Sequence, residues 1–207
     1  MWTRTLAKPM RRLNFPKDAP PAARPRLAVT DAARTPDPAA MAARLPPGTV
    51  VLFRHYDAPD RRALGARLAR VCRQRRLYLL VAGDARLAAA LGADGLHLPE
   101  YLARRGPPPV ARLWLRRRGG VLTVAAHSPA ALAWAAALGA DLALLSPVFP
   151  TRSHPGAATL GPVRFALWAG RAGVPVAALG GVTAATARRL PGAAALAGVP
   201  PVATRLP

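Results

Sequence analysis

Two periods alternate along this chain. Short apolar runs bounded by turn residues read as buried strands, and the stretches between them place apolar residues three and four apart, as one face of a helix requires. Strands are predicted at 26–30, 49–53, 77–81, 96–98, 121–125, 142–145, 174–179 and 193–197. Helices are predicted over 38–45, 60–75, 85–91, 130–138, 161–172 and 184–190. The second helix sets Leu64, Leu68, Val71 and Cys72 on one stripe while arginines fill the opposite face, so Cys72 reads as a core residue. Ser128 and Pro129 form a cap and first-turn pair for the helix that follows. The segment 101–118 is basic, contains three prolines and shows no periodicity that defines an element.

Strands that alternate with helices imply a parallel sheet, because parallel neighbours need crossover connections and the crossovers cover the faces. Eight such units predict a compact (β/α)8 TIM barrel occupying 26–207 as a single domain, with an open doubly wound sheet as the alternative. Residues 1–25 are basic, proline-bearing and aperiodic, and are expected to form a flexible arm. In both architectures ligands bind beyond the carboxyl ends of the strands. There this chain delivers Arg54, His55 and Tyr56 after the second strand, Gly83 and Asp84 after the third, and Gly180 and Gly181 after the seventh. The loop after the sixth strand gathers Thr151, Arg152, Ser153 and His154, hydroxyls and cations of the kind an anion needs. Asp84 admits two readings, a metal ligand or the N-cap of the helix beginning at Ala85. His97 within its strand reads as a packed histidine, and His127 as a residue of the helix start.

Composition narrows the partners. Apolar residues make up 52% of 207, enough for a sizeable core. Lysine and arginine number 30 against 9 acidic residues, a formal net charge of +21 that favours anionic ligands. Nearly all of the excess is arginine, aromatic residues are only 5%, and no binding motif accompanies the charge, so nucleic acid is set aside in favour of small phosphorylated metabolites. Cys72 is the only cysteine, which excludes an intramolecular disulfide and a cysteine metal cluster. No apolar run approaches the ~18 residues of a membrane span, and the amino terminus lacks the continuous apolar segment of a secretory signal, so a cytoplasmic location is expected. A homo-oligomer is compatible with everything in the sequence.

Four blocks, in order and spacing, resemble the thiamine phosphate synthase/TenI family over about 26–202. They are Gly92-Ala93-Asp94-Gly95-Leu96-His97-Leu98, Ala126-His127-Ser128, Gly139-Ala140-Asp141 with Ser146-Pro147-Val148-Phe149-Pro150-Thr151, and Pro175-Val176-Ala177-Ala178-Leu179-Gly180-Gly181-Val182. The resemblance implies a (β/α)8 barrel whose synthase members join a hydroxymethylpyrimidine diphosphate to a thiazole phosphate, releasing diphosphate with the help of Mg2+. It further implies that Arg54 grips diphosphate, that Asp84 is the first metal-binding aspartate, and that Thr151 and Ser153 contact the substrates, with His154 beside them. Gly180 and Gly181 match the glycines whose backbone approaches the thiazole phosphate.

The chain also departs from the family pattern. Leu52, Tyr56 and Gly83 stand where synthases have glutamine, lysine and asparagine, and Leu102 stands at the second metal aspartate. Ala125 replaces a serine, His154 a lysine, and Pro200 falls near a phosphate-binding serine. Pro147 occupies the place of the catalytic histidine of the TenI branch. A divergent thiamine phosphate synthase is therefore the leading expectation. The alternatives are a TenI-like thiazole phosphate isomerase and a non-catalytic phosphate-binding paralogue.

Overall fold

The structure, a computed structural model, describes residues 24–151 and 156–199. Eight parallel strands close into a barrel in the order of the chain. They are β1 (Arg26–Val29), β2 (Val50–Phe53), β3 (Tyr78–Ala82), β4 (Gly95–Leu98), β5 (Val121–Ala126), β6 (Leu142–Leu145), β7 (Val176–Leu179) and β8 (Ala195–Gly198). Closure is made by β1 pairing β8, with Leu27 opposite Ala197. The helices are α1 (Pro38–Ala43), α2 (Arg61–Arg75), α3 (Ala85–Ala90), α4 (Glu100–Ala103), α5 (Pro109–Arg118), α6 (Pro129–Ala137), α7 (Gly161–Arg171) and α8 (Ala184–Ala187). The expected TIM barrel is thus present, and the open sheet is not.

Successive strand residues point to opposite sides, and a barrel wrapped in helices buries both. Leu27, Val29, Val50, Leu52, Leu80, Leu142, Leu144 and Ala177 pack together inside the barrel. Their neighbours Ala28, Val51, Phe53, Val81, Leu96, Val124 and Leu145 pack outward against the helices, with Leu68 and Cys72 of α2 among them. Two concentric cores explain why the strands read as continuous apolar runs rather than alternating ones. Gly95 opens β4 because any Cβ there would collide with the Val121 carbonyl oxygen of β5.

The two Gly-Ala-Asp repeats perform one local task. Gly92 and Gly139, with φ of 62° and 67°, end the preceding helical turns in the left-handed conformation that glycine adopts without penalty. The aspartate then clips the strand next door. Asp94 donates its N–H to the Leu79 carbonyl at 2.8 Å and accepts the Leu79 N–H on Oδ2 at 2.7 Å. Asp141 does the same to Leu122, at 2.8 Å in both directions. Both clips lie where β3 and β5 begin, at the amino-terminal rim. Burial raises the Asp94 carboxyl above its ordinary pKa, against the opposing pull of the Leu79 N–H and of Arg118 and Arg73.

The aperiodic segment 101–118 proves to be mostly helical, in α4 and α5. Pro109 is tolerated because it occupies the first turn, where its missing N–H has no acceptor to lose. Only Ala111 and Leu115 of α5 are buried while Val110 and Leu113 stay exposed, so the apolar stripe is too narrow to announce itself. Predicted helix 184–190 shortens to the single turn of α8, started by a capping box between Thr183 and Thr186. The arm expected at 1–25 lies outside the described residues except for its last two positions. No helix among the described residues is long and apolar enough to cross a membrane.

Candidate active site

The carboxyl ends of the strands surround a cavity of about 1610 Å3. Its floor is apolar, made by Leu52, Ala125, Leu144 and Leu179, and its wall carries Arg34, Arg54, Arg104 and Arg105. Arg54 follows β2 directly. Its backbone N–H donates to Thr30 Oγ1 at 2.9 Å, and the same hydroxyl lies 3.0 Å from Nδ1 of His55. His55 Nε2 is 3.1 Å from the Thr35 carbonyl, which can only accept, so Nε2 carries the proton and Nδ1 receives the Thr30 hydroxyl. Buried His55 therefore ties the ends of β1 and β2 together and sets the direction in which Arg54 leaves the barrel.

Two further histidines line the cavity. His97 projects inward from β4, fully enclosed, with Nδ1 2.9 Å from Thr123 Oγ1 of β5. Burial, assisted by the charge of Arg54, lowers its pKa to about 3, so the imidazole is neutral at physiological pH. His127, beyond β5, donates from Nδ1 to the Ser146 carbonyl at 2.8 Å, with Ser146 Oγ at 3.3 Å. A carbonyl only accepts, so this bond places the proton on Nδ1 and leaves the lone pair on Nε2. The His127 backbone N–H donates to Glu100 Oε2 at 3.1 Å, and Glu100 Oε1 is 3.4 Å from Arg104, whose guanidinium stacks 4.8 Å above the Trp134 ring.

Opposite them, Gly180 and Gly181 turn from β7 with φ of 94° and 62°. A Cβ on Gly180 would sit 2.9 Å from Pro147 Cα, and one on Gly181 would strike the Pro150 carbonyl oxygen. These glycines let the β7 loop lie flush against the 147–150 segment, where Phe149 N–H donates to the Gly180 carbonyl at 3.0 Å. Both glycines and Thr151 line the cavity. Of the expected site residues, the structure thus brings Arg54, Thr151, Gly180 and Gly181 together, while Ser153 and His154 lie outside the described residues.

Asp84 does not line the cavity. Its Oδ1 accepts the Leu87 N–H at 2.9 Å as N-cap of α3, and its Oδ2 is 3.9 Å from Arg61. Glu100 is the one carboxylate among the described lining residues, and both its oxygens are engaged. Leu102 offers no donor, and no group of three His, Cys, Asp or Glu side chains among the described residues could hold a metal. Among the described residues, the donors around the cavity are fewer than the several oxygen ligands that Mg2+ takes. The Glu100–His127–Ser146 array was missed in the sequence. Its partners lie 19 and 27 positions from His127, yet His127 directly follows a strand as Arg54 does, and that shared placement was the signal available.

The family model described as thiamine monophosphate synthase (TMP-TENI) matches residues 27–202. The chain is 34% identical over 136 residues to the thiamine biosynthesis bifunctional protein of Geobacter sulfurreducens, covering 65% of this chain and 27% of that protein. It is 32% identical over 136 residues to the putative thiamine-phosphate synthase 2 of Aquifex aeolicus, covering 65% of this chain and 70% of the relative. Among solved structures, the thiamine phosphate pyrophosphorylase of Pyrococcus furiosus superposes with a TM-score of 0.70 at 22% identity, over 89% of this chain and 90% of that one. At that identity the superposition speaks for the fold, and the match along 27–202 speaks for descent: this chain belongs to the thiamine monophosphate synthase family.

Proposed function

We propose that the chain couples a hydroxymethylpyrimidine diphosphate to a thiazole phosphate and releases diphosphate. The observation that carries the reading is the placement of Arg54 and the bare Gly180–Gly181 backbone in the wall of one cavity with an apolar floor. In this reaction the thiazole nitrogen bonds to the pyrimidine methylene carbon as its C–O bond to diphosphate breaks, and the bonding pair leaves on the diphosphate. Arg54 meets that growing negative charge, with its backbone held by Thr30. The glycine turn receives the thiazole phosphate without side-chain obstruction. Thr151, with Ser153 and His154 beyond it, contacts the substrates from the β6 loop. Leu52, Ala125 and Leu144 exclude water from beneath the heterocycles. Mg2+ accompanies diphosphate chemistry in this family. With Asp84 engaged as a cap and an Arg61 partner, no step here is assigned to the ion.

The test is incubation of the purified protein with both substrates, following thiamine phosphate and diphosphate. Product is expected, and Arg54→Ala should lower kcat/KM by about 100-fold or more, the scale on which loss of a transition-state charge partner acts, with little change in melting temperature. No product from the wild type, or equal damage to folding and turnover in the variant, overturns the reading. One observation favours a second reading: His127 lines the cavity with Nδ1 bonded to the Ser146 carbonyl, which in the neutral ring makes Nε2 the basic atom. A proton-transfer isomerisation of the thiazole phosphate would use that atom, and isomerisation without coupling, abolished in His127→Gln, would replace the first reading by the second.

A further inference from the structure

Two of the positions at which this chain departs from the family pattern, Tyr56 and Leu102, lie around a third, Gly83. A Cβ built on Gly83 would lie 3.3 Å from Tyr56 Cε1 and 3.9 Å from Leu102 Cδ1. The Tyr56 ring therefore lies over the Gly83 backbone with Leu102 beside it, at the three positions where the resemblance implies a lysine, an asparagine and an aspartate. Arg61 completes the cluster, with its guanidinium 5.5 Å from the Tyr56 ring centroid and 5.6 Å from that of Phe53, and Nη2 donating to the Ala82 carbonyl at 2.6 Å. Its Nη1 faces Asp84 at 3.9 Å. Burial raises the Tyr56 pKa, so the phenol brings no negative charge to the site at neutral pH. Where the resemblance implies a charged clamp, this chain thus holds an aromatic and aliphatic cluster, and Asp84 faces an arginine.

The other wall has the opposite character. Among the described lining residues, four arginines face one glutamate, a formal excess of three positive charges. Arg34 is paired with Asp31 at 3.5 Å and Arg104 with Glu100 at 3.4 Å, so a divalent cation entering there would find both nearby carboxylates already engaged and would meet repulsion from the remaining arginine charge. A diphosphate meets the reverse, since guanidinium groups pair phosphate oxygens two at a time and carry their charge at every physiological pH. Two of the four have fixed starting points: the Arg54 main chain is bonded to Thr30, and Arg104 is stacked on Trp134.

We propose that this cavity binds its diphosphate group on arginine side chains alone, with no divalent cation. The inference rests on the proposed function for the identity of the anion, and its test is independent of turnover. Calorimetric titration of the purified protein with inorganic diphosphate is run at roughly physiological salt, once with chelator and once with millimolar Mg2+. The expected result is a single saturable site whose Kd in chelator equals or is tighter than that in Mg2+, and which weakens about tenfold or more in Arg54→Gln, the loss of one charge-assisted contact. Binding that requires Mg2+ overturns the proposal, as does the lack of a saturable site in both buffers. Unchanged affinity in a folded Arg54→Gln variant also overturns it, because the anion is then held only by the general positive charge of the chain. Metal-free binding without any coupling reaction would sink the proposed function and leave this inference standing. Coupling that stops on chelation would do the opposite.

Discussion

Lowering the pH should unfold this protein partly through one residue, His97. Its ring lies inside the barrel against Thr123, and enclosure together with the Arg54 charge holds its pKa at about 3. An unfolded chain has a histidine near its ordinary value of about 6.5. The unfolded state therefore takes up a proton first as pH falls, and the folded state follows only near pH 3. The stability carried by neutral His97 is whole above about pH 6.5 and drains below it, at about 1.4 kcal/mol per pH unit until the folded value is reached. Between pH 6.5 and pH 5 that amounts to about 2 kcal/mol, a substantial part of the 5–15 kcal/mol that keeps a typical domain folded. The matched perturbation is His97→Asn, which retains a polar atom near the position of Nδ1 for Thr123 and cannot titrate. Urea unfolding of both proteins at pH 7.5 and pH 5 gives four free energies. Any packing defect of the variant is present at both pH values and cancels in the difference of differences, leaving the His97 contribution. The wild type should lose about 2 kcal/mol more than the variant on acidification. Equal losses would refute the assignment of a strongly depressed value to this histidine.

Gly181→Ala places a methyl group against the Pro150 carbonyl oxygen and imposes a left-handed φ on alanine, so it should cost about 1–3 kcal/mol in thermal or urea unfolding and weaken thiazole phosphate binding in the same protein. Asp141→Ala removes the charged acceptor of the Leu122 N–H and should cost about 1.5–3 kcal/mol in unfolding, with Kd for inorganic diphosphate unchanged because the clip stands at the rim away from the cavity. The Cys72 thiol, pushed up to about 12 chiefly by burial and further by Asp94, should resist alkylation in the native protein at pH 8 and react promptly in denaturant. Rapid modification of the folded chain would contradict its packing in α2.

The strands were legible because enclosure on both sides makes each of them a plain apolar run, as in Val50–Phe53 and Leu142–Leu145. Arg54, Gly180 and Gly181 were legible as site residues for a related reason: each follows such a run directly, and parallel strands all deliver their next residues to the same end. Helix α5 was hidden by its prolines and by a buried face of only Ala111 and Leu115. Asp84 could be read as a cap or as a ligand, since a carboxylate before a helix serves either purpose. The Leu87 N–H and Arg61, neither adjacent to it in sequence, are what occupy it here. The bond from His127 to Ser146 joins residues that meet only when β5 and β6 pair, and no local pattern encodes that meeting.

The aspartate clips at the amino-terminal rim have a consequence for how such a protein can change over generations. Asp94 and Asp141 hold the starts of β3 and β5 from the end of the barrel remote from the ligand, so the forces that keep strands in register are anchored where no substrate reaches. The mouth is then free to drift. Residues of the mouth such as Tyr56 and Leu102 can be exchanged without touching the fasteners beneath, and selection can test new chemistry on a chassis that remains assembled throughout.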